Sequence, residues 1–139
     1  MAFRPYLAFA GNARDAFTRY QEIFGGELVL LDFTSTPDAG PPPEGVKPDA
    51  IMHAALMTPD GLLMGADDPF GNFDGNVSGM CLNASCADAS EAKRVFDALA
   101  QGGSVQQPMS ETFFSPAYGM CTDRFGTPWM VMVDAAMPS

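Results

Sequence analysis

Basic side chains are scarce in this 139-residue chain: 7 lysines and arginines stand against 17 aspartates and glutamates, for a formal net charge of −10. A surface of that sign repels phosphate backbones and anionic lipid, which excludes nucleic acid and membrane surfaces as partners. Cysteine is sparse as well. Cys81, Cys86 and Cys121 are odd in number and show no CxxC spacing, so neither a disulfide framework nor a thiolate zinc site is expected. Histidine occurs once, at His53, which rules out any site needing two imidazoles. No run approaches the roughly 20 apolar residues of a membrane span, and the N-terminal residues lack a basic segment followed by an apolar one. A cytoplasmic location is the default expectation. Charged residues make up only 17% of the chain and apolar ones 47%, the composition of a folded domain and not of a disordered one.

Two segments carry a helical period. From Asn12, a capping residue with Asp15 three positions on, apolar side chains recur at Ala13, Ala16, Phe17, Tyr20, Ile23 and Phe24 before Gly25 and Gly26 stop the run. The second helix starts at Asp88, with Glu91 completing the capping box. It buries Ala92, Val95, Phe96 and Leu99, and stops at Gly102 and Gly103. Strand-like runs cover residues 3–9, 27–33, 50–57, 62–66, 77–83, 104–107, 117–122 and 129–134. Residues 34–49 hold five prolines without periodicity and read as a long loop. A second irregular stretch follows Asp67.

The same order occurs twice. Ala13-Arg14-Asp15-Ala16 aligns with Ala89-Ser90-Glu91-Ala92, the Gly25-Gly26 stop with Gly102-Gly103, and the turn at Asp60-Gly61 with that at Phe125-Gly126. Each half therefore reads strand, helix, strand, strand, strand. A half this short buries one sheet face poorly alone, so the two are expected to form one domain: a first module over about residues 1–68, a linker over 69–75 and a second module over about 76–135.

Several short motifs, in this order and spacing, carry a family resemblance. They are Pro5-Tyr6-Leu7-Ala8-Phe9, Gly11-Asn12-Ala13, Phe24-Gly25-Gly26, Ile51-Met52-His53-Ala54, Gly102-Gly103-Ser104-Val105, Gly119-Met120 and Asp123-Arg124-Phe125-Gly126-Thr127-Pro128-Trp129. On them the chain resembles the vicinal oxygen chelate superfamily of glyoxalase, bleomycin-resistance and extradiol dioxygenase proteins, and within it the PhnB-like branch. The resemblance implies an α+β fold of paired βαβββ modules forming a cupped mixed sheet around a cavity, closed in a homodimer. It also implies where metal-dependent members hold their ion, on the first and last strands of each module. Those positions fall at Tyr6 and near Gly65, Met80 and Met130. None supplies the imidazole or carboxylate a divalent ion needs, so no metal and no other cofactor is expected.

The residues left to carry chemistry are few. His53 is the only imidazole, so any histidine-based proton transfer must use it. Alternation puts His53 on the face of Ile51 and Ala55, a face that lines either a cavity or a core. Phe9, Met64, Met80, Trp129 and Met130 are expected to give an apolar lining, with methionine as its pliable component. Phe113, Phe114 and Tyr118 lie in or beside an irregular stretch between Pro108 and Pro116 that is a candidate lid. Asp67 and Asp68, with Asp60 and Asp74, form an acidic cluster that a hard cation suits, although the spacing is not that of an EF-hand and a solvated loop is the simpler reading. Cys86 precedes the Asp88 cap, where a helix N-terminus lowers a thiol's pKa, but no partner accompanies it and it reads as structural. Asp123 organises the turn at Phe125-Gly126. The expectation is a small-molecule binding protein with an apolar pocket. The alternatives are a lyase, isomerase or transferase using His53 and Tyr6, and a metal enzyme with ligands at unusual positions. No glycine-rich nucleotide fingerprint is present.

Overall fold

The computed structural model describes residues 1–35, 38, 40–59, 61–68 and 77–134. The chain divides into two compact units, Met1–Gly75 and Asn76–Ser139. The first contains β1 (Tyr6–Phe9), α1 (Ala13–Phe24), β2 (Glu27–Asp32), β3 (Ile51–Thr58) and β4 (Gly61–Asp67). The second contains β5 (Leu82–Cys86), α2 (Ala89–Ala100), β6 (Ser104–Ser110), β7 (Tyr118–Thr122) and β8 (Pro128–Val133). Each unit forms a four-stranded mixed sheet, in the order β1-β4-β3-β2 and β5-β8-β7-β6. In both, the first strand runs parallel to the last and the other neighbours are antiparallel. The α+β architecture and the repeated βαβββ order thus stand as read from the sequence.

One helix covers one face of each sheet. In the first unit Leu7, Phe9, Ala54 and Leu56 are buried against Ala13, Ala16, Phe17 and Tyr20 of α1. Phe9, Phe17 and Tyr20 make successive edge-to-face contacts at 5.9 and 5.7 Å, an arrangement that adds to the burial itself. Gly65 is what lets Phe17 down onto the sheet: a Cβ there would sit 2.7 Å from the Leu7 carbonyl oxygen and 2.9 Å from the Phe17 ring. The second unit solves the same problem on a different strand, where a Cβ at Gly119 would meet the Phe96 ring at 2.8 Å. The repeat is also visible at Gly26 and Gly103, where a side chain would collide with the carbonyls of Met57 and Thr122 on the neighbouring strands.

Several details depart from expectation: β1 begins at Tyr6 and not at residue 3, and β6 runs on to Ser110, paired with Tyr118, so the stretch expected to be irregular from Pro108 begins only after it. Asn12 makes no side-chain cap; the Ala13 amide donates instead to Asp67 Oδ1, at 2.9 Å. The other oxygen of Asp67 accepts the Ile51 amide, also at 2.9 Å, so one carboxylate ties α1 to the start of β3. Three residues of sequence spacing cannot reveal a cap that arrives from 54 residues away. The strand expected over residues 77–83 begins only at Leu82, where its pairing with parallel β8 starts opposite Trp129, and Gly79 turns the chain before it at φ +77°. The second helix is capped as expected, with the Glu91 amide donating to Asp88 Oδ1 at 2.8 Å. Its Glu91 carboxylate reaches back to the Ala87 amide at 2.9 Å.

The long loop after β2 is tied down at both ends. Asp32 Oδ1 accepts from the Thr34 hydroxyl and from the Thr34 and Ser35 amides, while Oδ2 pairs with Arg14 at 2.8 Å. The Thr34 hydroxyl, the Ser35 amide and the Arg14 guanidinium hold this carboxyl well below the usual range. At the far end the Phe33 amide donates to the Pro48 carbonyl at 3.0 Å.

Asp123 does in the second unit what the sequence implies, and more. Its Oδ1 accepts the amides of Phe125 and Thr127 at 2.9 and 3.0 Å, and its Oδ2 accepts the Trp129 indole N–H at 2.9 Å. Asp123→Ala removes the carboxylate acceptor of three buried donors and is expected to cost about 2–4 kcal/mol. Asp123→Asn, which keeps one acceptor oxygen, should cost less. Urea denaturation of the two variants beside the wild type measures both.

Candidate site on the open face of the first sheet

Because side chains alternate along a strand, burial of Leu7, Ala54, Leu56 and Gly65 under α1 sends their neighbours to the other face. Register assigns that open face. Tyr6 pairs with Met64 and Met64 with Ala55, which in turn faces Val29. The next row holds Ala8, Ala66, His53 and Leu31. The result is an aliphatic floor carrying two polar aromatic groups.

Those two groups meet. The Tyr6 hydroxyl lies 3.1 Å from His53 Nδ1, and the rings stack with centroids 5.7 Å apart at 29°. β1 and β3 are not neighbours; β4 runs between them. Strands lie about 4.8 Å apart, so the two backbones are roughly 10 Å from one another and the side chains bridge over β4. The small residues Ala8, Ala55 and Ala66 leave the space above β4 open. With the imidazole proton on Nε2, the hydroxyl donates to Nδ1; with it on Nδ1, the ring donates to the hydroxyl oxygen. Burial pushes the Tyr6 phenol above its ordinary pKa, which keeps it a neutral donor. Tyr6 remains 52% exposed, so the pair is open to solvent and to a ligand.

The other expected site residues are dispersed. Met64 shares the open face with Tyr6. Phe9 and Trp129, at 2% and 4% exposure, lie on the helix-covered faces of their sheets, with Trp129 held by Asp123. Gly65 also faces the helix, so Met64 and Ala66 are the residues β4 presents on the open side. Met80 is exposed and precedes β5. Met130 lies on the open face of the second sheet, paired with Asn83 and with Met120. Met132 and Tyr118 form the next pair on that face. Met120, part of the Gly119-Met120 motif, and Met132 join this face without having been assigned to it from the sequence, although the period of two through residues 128–133 carries the signal for Met132.

The loop bearing Phe113 and Phe114 is anchored at its base. The Ser115 hydroxyl, buried, lies 2.6 Å from the carbonyls of both Ala117 and Val133, and the Ser115 amide donates to the Thr112 hydroxyl at 3.1 Å. Above that base Phe113 is fully exposed. Phe113, Phe114 and Tyr118 form an edge-to-face series at 5.1 and 5.0 Å that leads onto the open face of the second sheet.

The acidic cluster has a structural occupation. Both Asp67 oxygens accept backbone amides, and the Asp68 amide donates to the Phe9 carbonyl at 2.7 Å. Asp60 and Asp74 lie outside the described residues. Among the described residues no group of three or more His, Cys, Asp and Glu side chains is placed to hold a metal ion. A polar cleft of about 540 Å³ opens beside Asp68, between the start of α1 and the loop around Lys47. On the first and last strands, the positions that the family resemblance assigns to a metal, the open-face residues are Tyr6, Ala8, Met64 and Ala66 in one unit. In the other they are Asn83, Ser85, Met130 and Met132. That donor set does not fit a divalent metal.

The repeated βαβββ unit with a helix on one face and an open opposite face defines the glyoxalase/bleomycin-resistance fold, which solved structures described as domains of that superfamily share. The chain belongs to the PhnB-like family described as 3-demethylubiquinone-9 3-methyltransferase, whose model matches residues 1–132. It is 36% identical to protein YjdN of Escherichia coli (strain K12), over 100% of this chain and 99% of that one. Among solved structures it is similar to protein PA1353 of Pseudomonas aeruginosa, at 38% identity and a TM-score of 0.85 over 98% and 99% of the two chains. It is also similar in fold to a putative 3-demethylubiquinone-9 3-methyltransferase, PhnB protein, of Bacillus cereus, at 24% identity and a TM-score of 0.79 over 96% and 99%. The turn from β1 into α1 carries one glycine, Gly11, and no glycine-rich fingerprint, so the residues do not fit a dinucleotide-type cofactor there.

Cys86, ahead of the α2 cap, behaves opposite to a helix-activated thiol. Burial pushes its pKa up to about 11, and the nearby Glu91 carboxylate adds to the shift. Alkylation of Cys86 by iodoacetamide, followed by peptide mass spectrometry, should therefore be slow at pH 7–8 and still be accelerating above pH 10. A rate that levels off near pH 8 would contradict this.

Proposed function

We propose that the protein binds a small, largely apolar organic molecule on the open face of the first sheet, with Tyr6 and His53 as its polar anchor. The observation that carries the reading is the contact between these two side chains across β4, above an aliphatic floor of Ala8, Val29, Leu31, Ala55, Met64 and Ala66. Such a surface gains affinity from apolar burial and orientation from one or two hydrogen bonds. Glu27 is the only charged side chain among the strand positions of this face, which favours a neutral ligand over an anion.

Binding is taken to be metal-free, since thioethers, alanines, a phenol, an amide and a hydroxyl stand at the strand positions considered for a metal, with no imidazole or carboxylate among them. The methyltransferase description belongs to the family model, and among the described residues no glycine-rich strand-to-helix turn marks a site for a nucleotide-like donor. The test is a thermal-shift screen of neutral ring compounds, because a ligand that binds only the native state raises the melting temperature by mass action. A hit should bind Tyr6→Phe and His53→Gln roughly tenfold more weakly, the loss of about one hydrogen bond. The wild type, purified without chelator, should carry no stoichiometric zinc, nickel, iron or manganese by elemental analysis. One equivalent of tightly held metal would contradict the reading.

Assembly into a symmetric homodimer belongs to the same proposal. Tyr6, Met57, Met80, Phe113 and Phe114 leave a substantial apolar surface on the single chain, and twofold contacts are the commonest way to cover one. Light scattering at micromolar concentration should give twice the chain mass of 14.8 kDa. A monomer mass would count against it.

A further inference from the structure

Hydrogen bonding between a phenol and an imidazole on an otherwise aliphatic surface has a use beyond anchoring a ligand. The imidazole is both acid and base, with one nitrogen against Tyr6 and Nε2 left over for something else. No side chain of the surrounding floor competes for either group: the neighbouring open-face side chains are alanine, valine, leucine and methionine. The floor also holds no cation at its strand positions that would stabilise an oxyanion. Chemistry here must therefore avoid building up charge, which requires a proton to be delivered as another is removed.

We infer that Tyr6 and His53 form a proton-transfer pair that interconverts the keto and enol forms of a neutral, largely apolar carbonyl compound. This rests on the binding reading above and names its substrate class. His53 Nε2 removes a proton from the carbon beside the carbonyl, and the C–H electron pair becomes the new carbon–carbon double bond. The carbonyl π electrons take the proton of the Tyr6 hydroxyl, giving the enol O–H. Tyr6 regains a proton from His53 Nδ1 across the 3.1 Å contact. The substrate loses one C–H and gains one O–H, the imidazole exchanges one tautomer for the other, and no redox partner is required. Both residues touch substrate and are catalytic in this scheme; β4 and its small residues hold the space in which the substrate sits.

The probe is 2-indanone, a neutral and apolar ketone with two carbons beside its carbonyl. Exchange of its methylene protons in deuterium oxide is followed by proton NMR, and binding of the same probe by saturation-transfer NMR. Wild-type protein should accelerate exchange above the buffer rate. His53→Gln should lower the protein-dependent rate by about a hundredfold or more, the usual effect of removing an acid–base group. Tyr6→Phe should lower it by about tenfold or more, with the saturation-transfer signal retained in both variants as evidence that the fold and the floor persist. Binding without accelerated exchange in the wild type would overturn the proton-transfer inference and leave the binding reading standing. Equal exchange in all three proteins would overturn it too. Absence of any bound probe would overturn both.

Discussion

A helix phenylalanine resting on a glycine decides which side of each sheet is closed. Phe17 lies over Gly65 and Phe96 over Gly119, and in neither place is there room for a Cβ without displacing the ring. Burying a phenylalanine contributes about 1.5–3 kcal/mol, and the small residue beneath it lets the whole apolar stripe of the helix approach. Once that face is sealed, the two-residue period of the strands dictates the rest. Tyr6, His53 and Met64 in the first unit, and Tyr118, Met130 and Met132 in the second, are left on the other side. The candidate site is thus a consequence of where the helices pack.

Strand order then converts distance in sequence into proximity. β1 lies beside β4 and not beside β2, so Tyr6 approaches His53 although 47 residues separate them. The same parallel pairing brings the Asp67 carboxylate from the end of β4 to the first turn of α1 and to the start of β3. One acidic residue of β4 therefore ties α1, which closes one face, to β3, which carries His53 on the other. A carboxylate so occupied is poorly suited to a cation, and Asp67 serves instead as a structural staple.

Much of this was legible in the residues. Both helices, their glycine stops, the Asp88–Glu91 box and the role of Asp123 follow from local rules that need only a few neighbouring positions. The family resemblance drew attention to Tyr6 and to the residues at the strand positions where metal-dependent members hold an ion. What was not legible depends on partners far along the chain. The true cap of α1 comes from Asp67, and β5 starts where its pairing with β8 does. Phe9 and Trp129 could not be assigned to a face until the helix was docked, and both lie beneath it. Aromatic and thioether side chains look alike in composition whether they fill a core or line a pocket.

The central claim is that Tyr6 and His53 engage one another on an open apolar face, and the single histidine makes it directly measurable. A proton–nitrogen correlation spectrum of the imidazole, recorded for the wild type and for Tyr6→Phe, reports the hydrogen bonding of Nδ1 without assignment ambiguity. The account predicts a clear displacement of the Nδ1 resonance in the variant, together with wild-type cross-relaxation between the His53 and Tyr6 rings. An unchanged Nδ1 resonance and no ring-to-ring cross-relaxation would contradict it.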